Sequence, residues 1–155
     1  MGEYVATVEW VRGDQPFLDN RYSRAHDWRF DGGASVRGSS APDSVPVPLS
    51  DPSAVDPEEA LVAATSSCHM LFFLAYAARA GLVVERYLDE AVGIMGRDDR
   101  GKVAIVSVVL RPAVTFSGET LPDAAALADL HHRAHDHCYI ANSLRASVTV
   151  EPRAV

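Results

Sequence analysis

The segment Asp56–Ala80, DPEEALVAATSSCHMLFFLAYAARA, limits what this chain can fold into more than any other stretch. Asp56 suits an N-cap, Pro57 the first helical turn, and Glu59 three residues after Asp56 completes a capping-box pattern. Between Leu61 and Ala78 the only strongly polar side chain is His69, and Gly81 follows where a helix stop is expected. A helix apolar nearly all round is expected to be buried on most faces. Its length and its share of Ala, Ser and Thr argue against a membrane span and for the central helix of a soluble core. Cys68 sits in its middle.

The rest of the chain reads as strands with one further helix. Residues 3–12 alternate apolar and polar side chains, the pattern of a half-buried strand. GDQPFLDNRYS then breaks into a loop that carries Arg21 and, just beyond it, Arg24. HDWRFDGGASVRG predicts a hairpin turning at Asp31-Gly32-Gly33. Residues 40–55, with four prolines, form a connecting loop. After Gly81 the runs 86–97 and 102–116 are two strands joined by DDRG, and Pro112 predicts a bulge or an edge position. A second helix is expected at 123–135, a helical turn near Cys138, and a last strand at SVTVEP. No repeat or linker divides the sequence, so 1–155 reads as one domain of the α+β class, not alternating βαβ.

The net charge of −7 argues against nucleic acid, which needs a basic face. No basic-then-apolar stretch opens the sequence, and Glu3 speaks against N-myristoylation at Gly2. The expected location is the cytoplasm, where cysteines stay reduced or reactive.

Two thiols, Cys68 and Cys138, stand seventy residues apart, with no CxxC spacing. Taken alone, a cysteine in an apolar helix is a small core residue. The small residues Ala63 to Ser67 before Cys68 leave room for another backbone or a substrate, and Cys138 lies in a polar setting beside His137. Helical geometry separates the adjacent glutamates: Glu58 lies about 80° around the axis from Cys68, Glu59 about 180°. Glu58, Leu61, Thr65 and Cys68 thus form one stripe, and Glu59 is left to the cap. In HHRAHDHC, His131 and His135 share a helix face and could form a metal pair, but no third ligand motif completes it. A solvated face is the expectation for this cluster, and a hydrogen-bonded structural role for His69. No Gly-rich phosphate loop is present, and no cofactor is expected.

VDPEEALVAATSSCHM, with a Pro-Glu pair leading through small residues to a cysteine, resembles the helix signature of the OsmC/Ohr family of osmotically inducible and organic-hydroperoxide-resistance proteins. HDHCYIANS resembles the family's second-cysteine segment, and YSRAHDWRFDGG with SSCHMLFFL is similar to an OsmC-like branch. The likeness runs through essentially the whole chain. It implies an intertwined homodimer, with antiparallel sheets around paired central helices, and thiol peroxidase chemistry at the interface. In that scheme Cys68 is the peroxidatic thiol and Cys138 the resolving one. Glu58 orients an arginine, which is Arg24 from YSRAH or Arg21 from RxxRA, with Arg24 preferred. His69 and the HHRAHDH cluster depart from the better-known types.

The leading expectation is therefore an enzyme that reduces small organic hydroperoxides through a two-cysteine disulfide cycle, recharged by an external dithiol such as a lipoyl group. The rival is a dimeric, non-catalytic protein of the same fold that binds hydrophobic ligands or senses redox state. The thiolate needs a cation, because an apolar helix disfavours its charge. Arg79, eleven residues on and about 16 Å along the axis, is too far to supply one.

Overall fold

The computed structural model describes residues 2–154. The chain divides into two compact units, 1–60 and 61–155. The division falls inside the first helix, so nothing in the loop composition announces it.

In the first unit, β1 (Ala6–Glu9), β2 (His26–Phe30) and β3 (Ser35–Gly38) form an antiparallel sheet in that order. Val8 stands opposite Trp28, and Trp28 opposite Val36. The β2–β3 hairpin turns where expected, with Gly33 at φ +87°, a conformation that favours glycine. Gly38 is needed for a different reason: a Cβ there would lie 2.6 Å from His26 Nε2 and 2.9 Å from Trp28 Nε1. The predicted strand at 3–12 is only four residues long, and all four are exposed. Alternation marked its extended backbone, but among the described residues neither face of it is buried. Residues 40–55 are a loop, tied back by Ser39 N–H to Val55 O (3.1 Å) and Asp51 N–H to Ser39 Oγ (3.0 Å).

The helix α1 spans Pro57–Arg79. Its capping box is present in both directions, with Glu59 N–H donating to Asp56 Oδ1 (2.8 Å) and Asp56 N–H to Glu59 Oε2 (3.3 Å). It stops at Gly81, φ +73°, where Leu82 N–H and Gly81 N–H bond to Ala77 O and Ala78 O, both at 3.0 Å. α1 has the length and composition of a membrane span, with a mean hydropathy of 1.5 over its most apolar window. It is nonetheless the core helix of the second unit. Thr65, His69, Phe73, Tyr76 and Ala77 point inward, and Phe73, Tyr76, Ala77 and Leu82 pack with Leu130 and Ala134. Burial on most faces is not what the chain shows: Ala63, Ala64, Ser67, Leu71, Ala75 and Ala78 form an exposed stripe, with Leu71 60% exposed.

The second unit continues with β4 (Val83–Asp89), β5 (Val92–Arg97), β6 (Val103–Leu110) and β7 (Pro112–Ser117), then α2 (Ala124–His137), α3 (Tyr139–Ser143) and β8 (Ser147–Val150). The two long strands predicted at 86–97 and 102–116 are each broken in two. β5 and β6 pair across the DDRG turn, whereas β4 and β7 form a separate two-stranded sheet. The break is tertiary. Asp89 Oδ1 accepts Arg111 N–H at 2.6 Å, and Pro112 has no N–H to continue the ladder. Pro112 begins β7 opposite Asp89, and the bulges lie between Val84 and Arg86 and between Ile94 and Met95. β8 joins β6 in parallel. α2 is capped by Asp123, whose carboxylate accepts Ala126 N–H at 2.8 Å, and runs two residues past its predicted end.

Candidate active site

Cys138 sits at the corner between α2 and α3. Its extended backbone (φ −66°, ψ 108°) ends one helix and starts the next: its N–H donates to His135 O (3.2 Å), and its sulfur accepts Ala141 N–H (3.4 Å) as the N-cap of α3. The residue is 1% exposed. Its thiol points at α1, 3.9 Å from Thr65 O, with the Cys68 thiol near enough to affect its titration. Burial pushes the Cys138 thiol up to about 11, the Ala141 N–H opposes that rise, and the Cys68 sulfur adds to it. Cys138 is thus held as a neutral thiol. Cys68 is half-buried, and both thiols are free.

Small residues let these elements approach. Thr65 turns its hydroxyl back to Leu61 O (2.8 Å) and leaves its own carbonyl facing Cys138. Ser66 Oγ donates to Asp89 Oδ2 at 2.5 Å, pinning the end of β4 to α1. β5 passes so close that a Cβ at Gly93 would lie 2.6 Å from Val62 Cγ2.

One turn along the inner face of α1, His69 Nε2 meets His131 Nδ1 at 3.1 Å. The rings are 9° from parallel, and His131 stacks on Phe73 at 4.4 Å. Burial pushes both imidazoles down to about 4, with the neighbouring His131 adding to the effect on His69, so both are neutral at pH 7. His69 has the structural, hydrogen-bonded role expected of it. His131 does not lie on a solvated face; it is 4% exposed, while His132 and His137 are exposed and His135 half-buried. Leu127, Leu130, His131, Ala134 and Cys138 recur at helical spacing, and that apolar period was the signal for an inward His131. Among the described residues, no three His, Cys, Asp or Glu side chains converge to hold a metal ion.

Within the first unit, Arg24 and Glu58 line one cleft of about 540 Å³ together with Trp10, Phe17, Tyr22 and His26. The Arg24 guanidinium lies 3.8 Å over the Tyr22 ring, donates to Tyr22 O, and reaches Asn20 O (3.1 Å) and Asn20 Oδ1 (2.9 Å). Tyr22 in turn stacks on Phe17 at 4.7 Å. Glu58 is half-buried, and among the described residues neither Arg24 nor Glu58 forms an ion pair. Arg21 is exposed, and its backbone N–H donates to Asp19 Oδ1.

Residues 50–153 match the family of OsmC-like proteins. The structure is similar to that of an OsmC-like protein of unknown function from Vibrio cholerae, at 52% identity and a TM-score of 0.97, covering 99% of this chain and 100% of that one. An organic hydroperoxide resistance protein from Elizabethkingia anophelis (18% identity, TM-score 0.68, 99% and 96% covered) has the same fold. So does the organic hydroperoxide resistance protein OhrB of Bacillus subtilis (17% identity, TM-score 0.67, 99% and 98% covered). No match was found among curated proteins. The family match covers more than half of the chain, and the likeness to the Vibrio cholerae protein nearly all of it: the chain belongs to the OsmC-like protein family.

Proposed function

We propose that this protein is a thiol-dependent peroxidase that reduces organic hydroperoxides through a Cys68–Cys138 disulfide cycle. The observation that carries this reading is the apposition of two free thiols, one half-buried and one buried and neutral. Cys68 thiolate attacks the distal peroxide oxygen; the O–O bond breaks, and the alkoxide leaves as the alcohol after taking a proton. Cys138 sulfur then attacks the Cys68 sulfenic acid, and its proton leaves with the hydroxyl as water. An external dithiol, such as a lipoyl group, reduces the disulfide by exchange. We assign the thiolate-stabilising cation to Arg24, with Arg21 as the alternative, and its orientation to Glu58. The names of the Elizabethkingia and Bacillus relatives support the substrate class. Free thiols fit a reducing compartment such as the cytoplasm.

We also propose a homodimer, because the stripe from Ala63 to Ala78 on α1 is left exposed among the described residues. Sedimentation is expected to give twice the 16.7 kDa chain mass, and a folded monomer would end that part of the proposal.

Titration with cumene hydroperoxide tests the peroxidase directly. One equivalent is expected to yield one equivalent of alcohol and an intramolecular disulfide joining Cys68 and Cys138. The second reading, a non-catalytic binder of hydrophobic ligands, draws on the aromatic cleft of Trp10, Phe17 and Tyr22. It predicts neither peroxide consumption nor the disulfide.

A further inference from the structure

A second cleft, of about 660 Å³, lies at the tip of the β5–β6 hairpin, where the chain also passes on its way into β8. Arg97, Arg100 and Arg145 line it together with Asp98 and Asp99, and Ala104 and Val106 of β6 give it an apolar side. The turn that carries most of these charges is fixed. Asp98 N–H donates to Lys102 O and Gly101 N–H to Asp98 O, both at 2.9 Å, and Gly101 takes φ +72°. The arginines gather around that turn. Arg97 Nη1 donates to Gly101 O (2.9 Å), and Arg100 forks onto Asp98 Oδ2 through Nε (2.8 Å) and Nη2 (2.6 Å). The Asp98 carboxyl is held below the usual carboxylate range by the Lys102 N–H first, then by Arg100, and Arg145 is near enough to add to the effect.

The charges lining the cleft do not cancel. Asp98 is used up: Oδ1 accepts the N–H groups of Arg100 (2.9 Å) and Lys102 (2.8 Å), Oδ2 accepts the Arg100 fork, and Arg100 matches its charge. Among the described residues neither Arg97 nor Arg145 forms an ion pair, and neither does Asp99. Two exposed guanidinium groups thus stand against one exposed carboxylate, a surplus of one positive charge in a chain whose net charge is −7. A guanidinium presents its donors in a plane that matches the two oxygens of a carboxylate. One surplus charge suits a monoanion, whereas a dianionic phosphate meets Asp99 as an unbalanced like charge. The volume is that of a small-molecule pocket, far more than a bare ion fills. Ala104 and Val106 offer the remaining space to a hydrocarbon body.

We infer that the β5–β6 tip holds a binding site for a small organic carboxylate, its head group on Arg97 and Arg145 and its hydrocarbon body against Ala104 and Val106. Asp99 sets the limit of one negative charge. None of these residues takes part in the thiol chemistry, so the site stands whether or not the thiols reduce peroxides.

The test is a titration of the nitrogen-15-labelled full chain at pH 7 and low salt with benzoate and with hexanoate. The signals to follow are the Nε–H groups of Arg97 and Arg145 and the backbone amides of 102–106 and 145–147. Benzyl alcohol, benzylamine and phenyl phosphate are the comparison probes. Saturable shifts with the two carboxylates are expected, at least tenfold weaker with benzyl alcohol and benzylamine and several-fold weaker with phenyl phosphate. Added salt should weaken carboxylate binding. Arg145→Gln, at an exposed position with no ion pair to lose, is expected to weaken benzoate at least fivefold while the rest of the amide spectrum stays in place. Asp99→Asn is expected to raise the affinity for phenyl phosphate several-fold, and by more than that for benzoate. No saturable shift with either carboxylate would mean that the arginines are a solvated surface, and the proposal falls. It falls equally if benzyl alcohol or phenyl phosphate matches benzoate, or if Arg145→Gln binds benzoate as the parent does. An unchanged preference for benzoate over phenyl phosphate in Asp99→Asn would overturn the role given to Asp99.

Discussion

Two side-chain pairs start from adjacent residues of α1 and meet α2 and the corner that follows it, and they differ in what burial does to them. At His69 and His131 both partners are buried, and both are pushed down to about 4, so the pair is neutral and symmetric. At Cys68 and Cys138 only the second partner is sealed; Cys138 is pushed up to about 11, while Cys68 is half-buried. Closeness alone does not make a reactive pair. The step in exposure across the thiols leaves one sulfur partly open and keeps the other buried and protonated. The histidines have no such step, and they act as a wall of the core.

The largest expected effect breaks the thiol pair at its exposed member. Cys68→Ser is expected to abolish peroxide reduction, while Cys138→Ser consumes one equivalent and stalls at a sulfenic acid that overoxidises, as mass spectrometry would show. Normal turnover by Cys68→Ser, with a dead Cys138→Ser, would reverse the roles assigned here.

The histidine pair predicts a pH effect on stability. Both folded values, about 4, lie below the ordinary 6.5, so the unfolded chain binds more protons between those limits. Stability from this source is complete above about pH 6.5 and is lost as pH falls toward 4, with two histidines giving a slope of at most roughly 2.7 kcal/mol per pH unit. Urea unfolding across pH 7 to 4.5 measures it. The double variant His69→Phe with His131→Leu is expected to flatten the profile, and an unchanged slope would show that other groups set it.

A smaller effect, at least tenfold or about 1.4 kcal/mol in the barrier, is expected for Arg24→Ala in the peroxide step. Glu58→Ala is expected to lose less. Iodoacetamide labelling of Cys68 at neutral pH should slow in parallel. If Arg21→Ala slows labelling and Arg24→Ala does not, the cation is Arg21; no change in either removes the arginine from the mechanism.

What the sequence made legible was local. The Asp56–Glu59 box, the stop at Gly81, the Asp31–Gly33 turn and the Asp123 cap all rest on residues a few positions apart, and each appears in the structure. Pro112 marked an irregularity in the second run, but the full breaks at Glu90 and Arg111 were not legible, because the kink is made by Asp89 reaching Arg111 across two strands. His131 was misjudged for a related reason. Four histidines in seven residues read as a polar face, whereas the apolar period through Leu127, Leu130 and Ala134 carried it inward. The posture of Arg24 over Tyr22 is likewise beyond any spacing rule, since it depends on how the loop closes at Asn20, φ +60°.

The smallest expected effect separates chemistry from structure at the buried thiol. The Cys138 sulfur caps α3 by accepting Ala141 N–H, and it faces Thr65 O, which can take a hydrogen. A serine hydroxyl can do both, and serine is a better N-cap than most residues, so Cys138→Ser is expected to lie within about 0.5 kcal/mol of the parent. Alanine can do neither, and Cys138→Ala is expected to lose about 1 kcal/mol. Urea denaturation of the reduced proteins distinguishes the two. If serine stands clearly below alanine, the cap is not what holds the α2–α3 corner, and a stalled Cys138→Ser enzyme would have to be traced to a distorted corner. If the order holds, the stall belongs to the missing thiol, and the contrast between a reactive cysteine pair and an inert histidine pair rests on exposure and chemistry alone.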